Sequence, residues 1–182
     1  MSLRVLVQGF RPRVTVRYPL EPHPTPPDFR GKVEIDPSAC MGCGACVAAC
    51  PPNALEMIDD LDSGVRVIRL FYGRCIFCGR CEEACPRFAV EQSSEFELAT
   101  RSRERLVMEV VHRLAQCPRG HYAPFTERQV REALEILRLA MNSELAESLR
   151  DTVRTCIDHR REEVVERVVR ALKPGEAREA LR

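Results

Sequence analysis

Two stretches decide how the rest of the chain is read: Cys40-Met41-Gly42-Cys43-Gly44-Ala45-Cys46-Val47-Ala48-Ala49-Cys50-Pro51 and Cys75-Ile76-Phe77-Cys78-Gly79-Arg80-Cys81-Glu82-Glu83-Ala84-Cys85-Pro86. Each is a C-x2-C-x2-C-x3-C-P run, the spacing with which thiolates hold iron–sulfur clusters. Three thiolates so close together wrap a loop around one cubane, each reaching a different iron. The fourth cysteine starts a short helix and points away, and in two-cluster proteins it ligates the other cluster. The spacing therefore assigns Cys40, Cys43, Cys46 and Cys85 to cluster one, and Cys75, Cys78, Cys81 and Cys50 to cluster two, both [4Fe–4S]. Gly42, Gly44 and Gly79 let the backbone approach the sulfides and offer them amide donors, and Pro51 and Pro86 fix the exit of each loop.

The runs are also an internal repeat. At an offset of 35 residues both cysteine sets coincide, as do Gly44 with Gly79, Ala49 with Ala84, Ala54 with Ala89 and Glu56 with Glu91. That predicts two similar half-modules related by a pseudo-twofold. Zinc favours two separated C-x2-C pairs over a repeated triplet with a trailing C-P. Disulfides need an oxidising compartment, and residues 1–10 are too short and broken for a signal peptide.

Length and composition set the remaining bounds. With 182 residues, roughly half the chain lies outside the repeat, and a net charge of +1 gives no basis for nucleic acid binding. No stretch approaches the ~18 apolar residues of a membrane span. The expected location is cytoplasmic, or peripheral on a cytoplasmic face, with membrane contact only through partners.

Taken in order, the pattern divides into an N-terminal extended arm (1–31), a cluster module (32–98) and a helical C-terminal region (99–182). Residues 3–10 fit a short helix or a strand, and residues 13–18 alternate as an extended segment. Pro19, Pro22, Pro24, Pro26 and Pro27 rule out a helix or central strand. They leave a polyproline-II arm that is either a linker or a clamp laid on a partner. Short strands are expected at 32–35, 54–58, 65–71 and 88–90, with a turn at 59–64. Val47, Leu55, Ile58, Ile68, Ile76, Phe77 and Val90 are the expected wall around the clusters. Beyond residue 94 the periodicity turns helical. It predicts a helix over 101–115, with Leu106, Val107, Val110, Val111 and Leu114 on one face. A second helix opens with a capping box at Thr126-Glu127-Arg128-Gln129 and turns Val130, Leu134, Leu137 and Met141 inward. Further helices are expected over 144–156 (Leu145, Leu149 and Val153 inward) and over 162–172 (Val165, Val168, Val169 and Leu172 inward), the last stopped at Pro174-Gly175.

The two remaining cysteines each have a histidine close by, Cys117 with His121 and Cys156 with His159. Two such pairs beside helices would converge on one tetrahedral zinc, which would staple a region with little core of its own. The alternative is two buried thiols and two exposed histidines. His23, in the arm, and His112, in the expected first helix, are read as non-ligands.

Three motifs are more specific than a generic ferredoxin: Arg17-Tyr18-Pro19-Leu20-Glu21-Pro22, Pro27-Asp28-Phe29-Arg30-Gly31 and the second cysteine run. With them the chain resembles the two-cluster subunit of the respiratory complex I family, called subunit I in bacterial complex I. Within that group it resembles the corresponding subunit of membrane-bound group 4 [NiFe] hydrogenases, the formate hydrogenlyase subunit 6 and hydrogenase-4 component H type. The resemblance implies an α+β fold: a pseudo-twofold bacterial-type 2[4Fe–4S] ferredoxin module with an extended arm and a helical C-terminal domain. It implies a non-catalytic electron-transfer subunit in a [NiFe]-hydrogenase complex, or the equivalent subunit of a nickel-free quinone or carrier oxidoreductase. A free, diffusing ferredoxin is a third reading, to which the arm is foreign. The implied partners are hydrogenase-type large and small subunits, or their complex I-like equivalents, and an electron-input protein. In this subtype the C-terminal extension carries two cysteine pairs, replaced here by Cys117 with His121 and Cys156 with His159.

Overall fold

The computed structural model describes residues 16–21 and 23–171. The expectations for residues 3–10, for 13–15, for Pro22, for Leu172 facing inward and for the helix stop at Pro174-Gly175 lie outside these. Strand β1 (Val33–Ile35) pairs antiparallel with β4 (Val90–Gln92), Ile35 opposite Val90. Strands β2 (Leu55–Asp60) and β3 (Val65–Phe71) form a hairpin with Leu55 opposite Leu70. The first three strands fall where alternation and turn chemistry predict them; the fourth, expected over 88–90, begins only at Val90, because Phe88 sits at φ 51°, outside the extended region. Asp60 ties the hairpin turn by accepting from the N–H groups of Asp62 and Ser63.

The two halves share local geometry at the 35-residue offset. Asp36 N–H donates to Ala89 O at 2.8 Å, and Phe71 N–H donates to Ala54 O at 2.8 Å. Helices α1 (Ala45–Ala49) and α2 (Arg80–Glu83) each follow a left-handed glycine, Gly44 at φ 77° and Gly79 at φ 79°, so each short helix ends before the fourth cysteine, Cys50 or Cys85, instead of starting there. Asn53 and Phe88 both sit at φ 51°. Between the halves lies one core of Val33, Ile35, Leu55, Ile68, Leu70, Tyr72, Val90 and Val110, against which Cys46 and Cys81 are buried. Val47 and Phe77 pack on it as expected. Ile58 and Ile76 are 39% and 62% exposed, and neither belongs to the wall.

Residues 107–116 are a strand, not a helix. A single 3-10 turn (Arg103–Leu106) leads into β5 (Val107–Gln116), which pairs antiparallel with β3 from Phe71↔Val107 to Val65↔Arg113. Leu106, Val110 and Leu114 are spaced by four, which satisfies a helical and an alternating period equally. Burial follows the alternating one: Val110, His112 and Leu114 face in, while Val111 is 63% exposed. A waiting edge on β3 and the β-branched Val107, Val110 and Val111 outweigh the helical pattern. Strand β6 (Tyr122–Thr126) then completes a four-stranded sheet in the order β2-β3-β5-β6, with a bulge between Leu114 and Gln116.

Helix α3 (Glu127–Ala140) begins with the expected capping box. Gln129 N–H donates to Thr126 Oγ1 at 3.1 Å, and Thr126 N–H donates to Gln129 Oε1 at 2.8 Å. Val130 and Leu134 pack on Ala115, joined by Phe125, Leu137 and Val153. The helix expected over 144–156 is instead two, α4 (Ser143–Ser148) and α5 (Arg150–Arg154), hinged at Leu149. Ala146 is the buried residue of α4, whereas Leu145 is 49% exposed. Helix α6 (Ile157–Ala171) starts earlier than expected and buries no residue; Val165, Val168 and Val169 face solvent.

The arm residues lie against their own chain. Tyr18 and Phe29 pack on Phe96, with ring centroids 5.7 and 6.1 Å away, and Gly31 N–H donates to Ser93 O at 3.1 Å.

Candidate metal centres

The loop carrying Cys40, Cys43 and Cys46 is held from outside by its carbonyl oxygens. Thr126 Oγ1 donates to Met41 O at 2.7 Å, and Arg66 Nη1 donates to Gly42 O at 2.8 Å. Arg128 Nη1 donates to Cys40 O at 2.9 Å and Pro37 O at 3.1 Å, and its Nη2 donates to Ser38 O. A trans peptide points its C=O and N–H in opposite directions. Tying these carbonyls outward therefore turns the following N–H groups toward the thiols. The Gly42 N–H lies near enough to the Cys40 sulfur to favour its thiolate, against the larger opposing effect of burial. Gly42 sits at φ 71°, and a Cβ there would come within 2.9 Å of the His112 ring, so only glycine fits.

Cys40, Cys43 and Cys46 converge on Cys85 of the second run, and the four line one enclosed pocket with Ile68, Pro86 and Val90. In the other half, Cys75 and Cys81 both lie within electrostatic reach of Cys50, and Cys75 also of Cys78. Each trailing cysteine accepts from an amide four residues on: Ala54 N–H to Cys50 Sγ and Ala89 N–H to Cys85 Sγ, both at 3.2 Å. Burial, with neighbouring cysteine charge, pushes Cys46 up to about 12. Burial also pushes Cys81 up to about 11, and raises Cys40 and Cys75. Metal binding requires these thiols to lose their protons. Sulfur donors, amide donors and a glycine cradle in a desolvated pocket fit a polyanionic cluster, which when bound stores one electron at a time.

Behind Gly42 lies a polar constellation that the sequence pattern did not disclose. Arg66, 3% exposed on the inward face of β3, forms a two-pronged pair with Asp59, Nε and Nη2 each 2.6 Å from a carboxylate oxygen. It also donates to Pro124 O at 3.0 Å. His112, opposite Arg66 in register, is 8% exposed, and its Nε2 has no hydrogen-bond partner among the described residues. The alternation of β3 places Arg66 inward, but no spacing announces its partners. His112 was hidden by the helical reading of its strand.

The second group of candidates also comes together. Sulfur and ring nitrogen atoms of Cys117, His121, Cys156 and His159 all lie within 4.8 Å of one another. Cys117 and Cys156 are buried beside Ala123 and Phe125, and each sulfur lies near His159 Nδ1, at 3.5 and 3.4 Å respectively. A tight turn makes one half of the group: Cys117 N–H donates to His121 O at 2.8 Å, with Gly120 at φ 87°. The first turn of α6 makes the other. Burial alone would raise the Cys117 thiol, but the N–H groups of Cys156 and Arg119 and the His159 ring bring it down to about 7. His23 lines a shallow pocket with Tyr18 and Phe96, far in sequence from either group.

This fold and site define a ferredoxin-type iron–sulfur protein, and the model of the 4Fe–4S dicluster domain family matches residues 39–89. Formate hydrogenlyase subunit 6 of Escherichia coli K12 is 42% identical over 149 residues, spanning 81% of this chain and 82% of the relative. NADH-quinone oxidoreductase subunit I of Psychrobacter arcticus is 37% identical over 131 residues, 67% of this chain and 71% of the relative. A chain in the solved archaeal membrane-bound sulfane sulfur reductase is 33% identical, with TM-score 0.43, over 56% of this chain and 55% of that one. The chain belongs to the ferredoxin-like subunit family of complex I and group 4 [NiFe] hydrogenases, and it is an iron–sulfur electron-transfer subunit. Among the described residues no helix is long and apolar enough to cross a membrane.

Proposed function

We propose that this chain relays electrons through two [4Fe–4S] clusters, held as the cysteine spacing assigns them, in two half-modules related by a pseudo-twofold. Cys40, Cys43, Cys46 and Cys85 hold cluster one; Cys75, Cys78, Cys81 and Cys50 hold cluster two. The observation that carries this is the pocket in which Cys85, from the second run, joins the three clustered cysteines of the first. The chain works in a group 4 [NiFe]-hydrogenase-type complex on the cytoplasmic face of the membrane, between an electron-input protein and the hydrogenase large and small subunits. The higher identity and wider coverage of the hydrogenlyase relative favour this over a nickel-free quinone-reducing complex. The arm docks on a partner through its outer side, where Leu20 is 87% exposed.

Cys117, His121, Cys156 and His159 hold one structural zinc. Bonds of ~2.3 Å to sulfur and ~2.0–2.1 Å to nitrogen put tetrahedral ligands about 3.3–3.8 Å apart. The four atoms need only a small contraction from their present spread.

The test is the metal content of the complex purified anaerobically through a tag on this chain. Nickel alongside iron and zinc is the expected result. Abundant iron without nickel would move the chain to the quinone- or carrier-reducing relatives. A tagged chain recovered alone with about eight irons, four for each cluster, would make it a free ferredoxin and overturn the docking role of the arm.

A further inference from the structure

The two cysteine loops are backed differently. The second is braced by Arg30, exposed, donating to Cys78 O at 3.0 Å, and by Gln92 donating to Phe77 O at 3.3 Å. The first has Arg128 on the opening turn of α3, half-buried, with three backbone carbonyls of the loop and its approach as acceptors. Its charge reaches the Cys40 sulfur, and the carboxylate it also reaches, Asp36, is solvent-exposed. Directly behind the same loop stands His112, with a buried Nε2 that no group among the described residues satisfies. A buried polar atom without a partner is costly, so its persistence beside a loop built for an anion points to the anion as its compensation. The His112 ring lies against Gly42, where a Cβ would come within 2.9 Å of it, so the ring dipole is fixed at the back of the loop.

We propose that Arg128 and His112 raise the reduction potential of cluster one, making the wall contributed by β5 and α3 a potential-setting element as well as a brace. The proposal rests on the two-cluster reading above. Reduction adds one negative charge to a cluster. A half-buried cation and a buried dipole favour the reduced form more strongly than a fully exposed arginine, which is screened. Both residues act on the cluster from behind the loop and are positioning residues.

The experiment is an EPR-monitored redox titration of the full chain carrying its clusters, with cluster two as internal reference. Arg128→Met is expected to raise the oxidised-to-reduced ratio of cluster one at a fixed potential about tenfold, about 59 mV for one electron. Arg128→Lys, which keeps the charge but loses the fork, is expected to stay within about threefold of the parent. His112→Phe keeps a ring against Gly42 and removes both nitrogens; it is expected to shift cluster one in the same direction by about threefold. An unchanged cluster-one potential in both Arg128→Met and His112→Phe overturns the proposal, as does an equal shift of both clusters. If Arg128→Met loses cluster one outright, His112→Phe decides alone, because it breaks no bond to the loop. A parent chain with fewer than two clusters would instead sink the underlying reading, and would do so before any variant is compared.

Discussion

Arg66 and Asp59 give the sharpest test of how the cluster module is held together. The guanidinium is 3% exposed and the carboxylate 22% exposed, and the same guanidinium also anchors Gly42 O in the first cysteine loop and Pro124 O in β6. Replacing Arg66 by Met leaves a largely buried carboxylate unpaired and two carbonyls without their charged donor. Removing one partner of a buried pair costs about 3–5 kcal/mol. For a chain of this length each kcal/mol moves the thermal midpoint by about 2–4 °C, so the expected loss is about 6–20 °C. Asp59→Leu is expected to fall in the same range, since it leaves the more deeply buried charge uncompensated. The double variant Arg66→Met/Asp59→Leu is expected to recover at least half of the summed loss, because no buried charge then remains. The assay is thermal unfolding of the cluster-loaded chain at a fixed scan rate, followed by far-UV circular dichroism and by bleaching of the cluster absorbance. Cluster loss makes such unfolding irreversible, so the comparison holds only at one scan rate. Single variants that shift the midpoint by less than about 2 °C, or a double variant that loses the full sum, would refute the reasoning.

Cys50→Ala is expected to remove the EPR signal of cluster two and to leave that of cluster one, whose thiols surround a different pocket; loss of cluster one alone would show that the crossed ligation is wrong. Cys117→Ser is expected to cut zinc per chain and lower the thermal midpoint, with both iron–sulfur signals intact, and unchanged zinc would eliminate the site. A chain ended at residue 98 is expected to lose cluster one in preference to cluster two. It lacks Thr126 and Arg128 from the loop and β5 from the edge of β3, so equal retention of both clusters would contradict the bracing role of that wall.

What was legible in the sequence is what covalent spacing controls. The two cysteine runs, the glycines at their turns, the hairpin ending near Gly64 and the box at Thr126 and Gln129 all depend on residues close together in the chain. The strand β5 was not legible, because Leu106, Val110 and Leu114 fit both periods and the deciding partner, β3, lies some forty residues away in sequence. The same cause hid His112, whose inward direction exists only in a strand paired with Arg66. The long amphipathic helix over 144–156 failed for a local reason: Leu149 adopts φ −87° and ψ −3°, ending one helix and opening the next. The Cys117/His121 and Cys156/His159 pairs were visible as pairs, but their convergence depends on how β6 and α6 pack.

Helix α6 brings these points to one consequence. It runs for 15 residues without a buried side chain, so hydrophobic burial within this chain does not hold it. Its attachments gather at one end. Thr155 and Cys156 are buried just before it, His159 lies in its first turn, and Arg160 donates to Thr152 O at 2.9 Å and Thr155 O at 3.1 Å. Farther along, the described contact to the hairpin is an exposed Arg119–Glu162 pair at 3.8 Å, of a kind worth ~0–1 kcal/mol. A zinc shared by the turn at Cys117 and the first turn of α6 would then be the principal tie between helix and sheet. Chelation of zinc from the isolated chain is expected to speed amide exchange throughout α6 while β5, held by its ladder to β3, keeps its protection. If α6 stayed as protected as β5 after zinc was removed, the tie would lie elsewhere, and the metal would not be what anchors the helix.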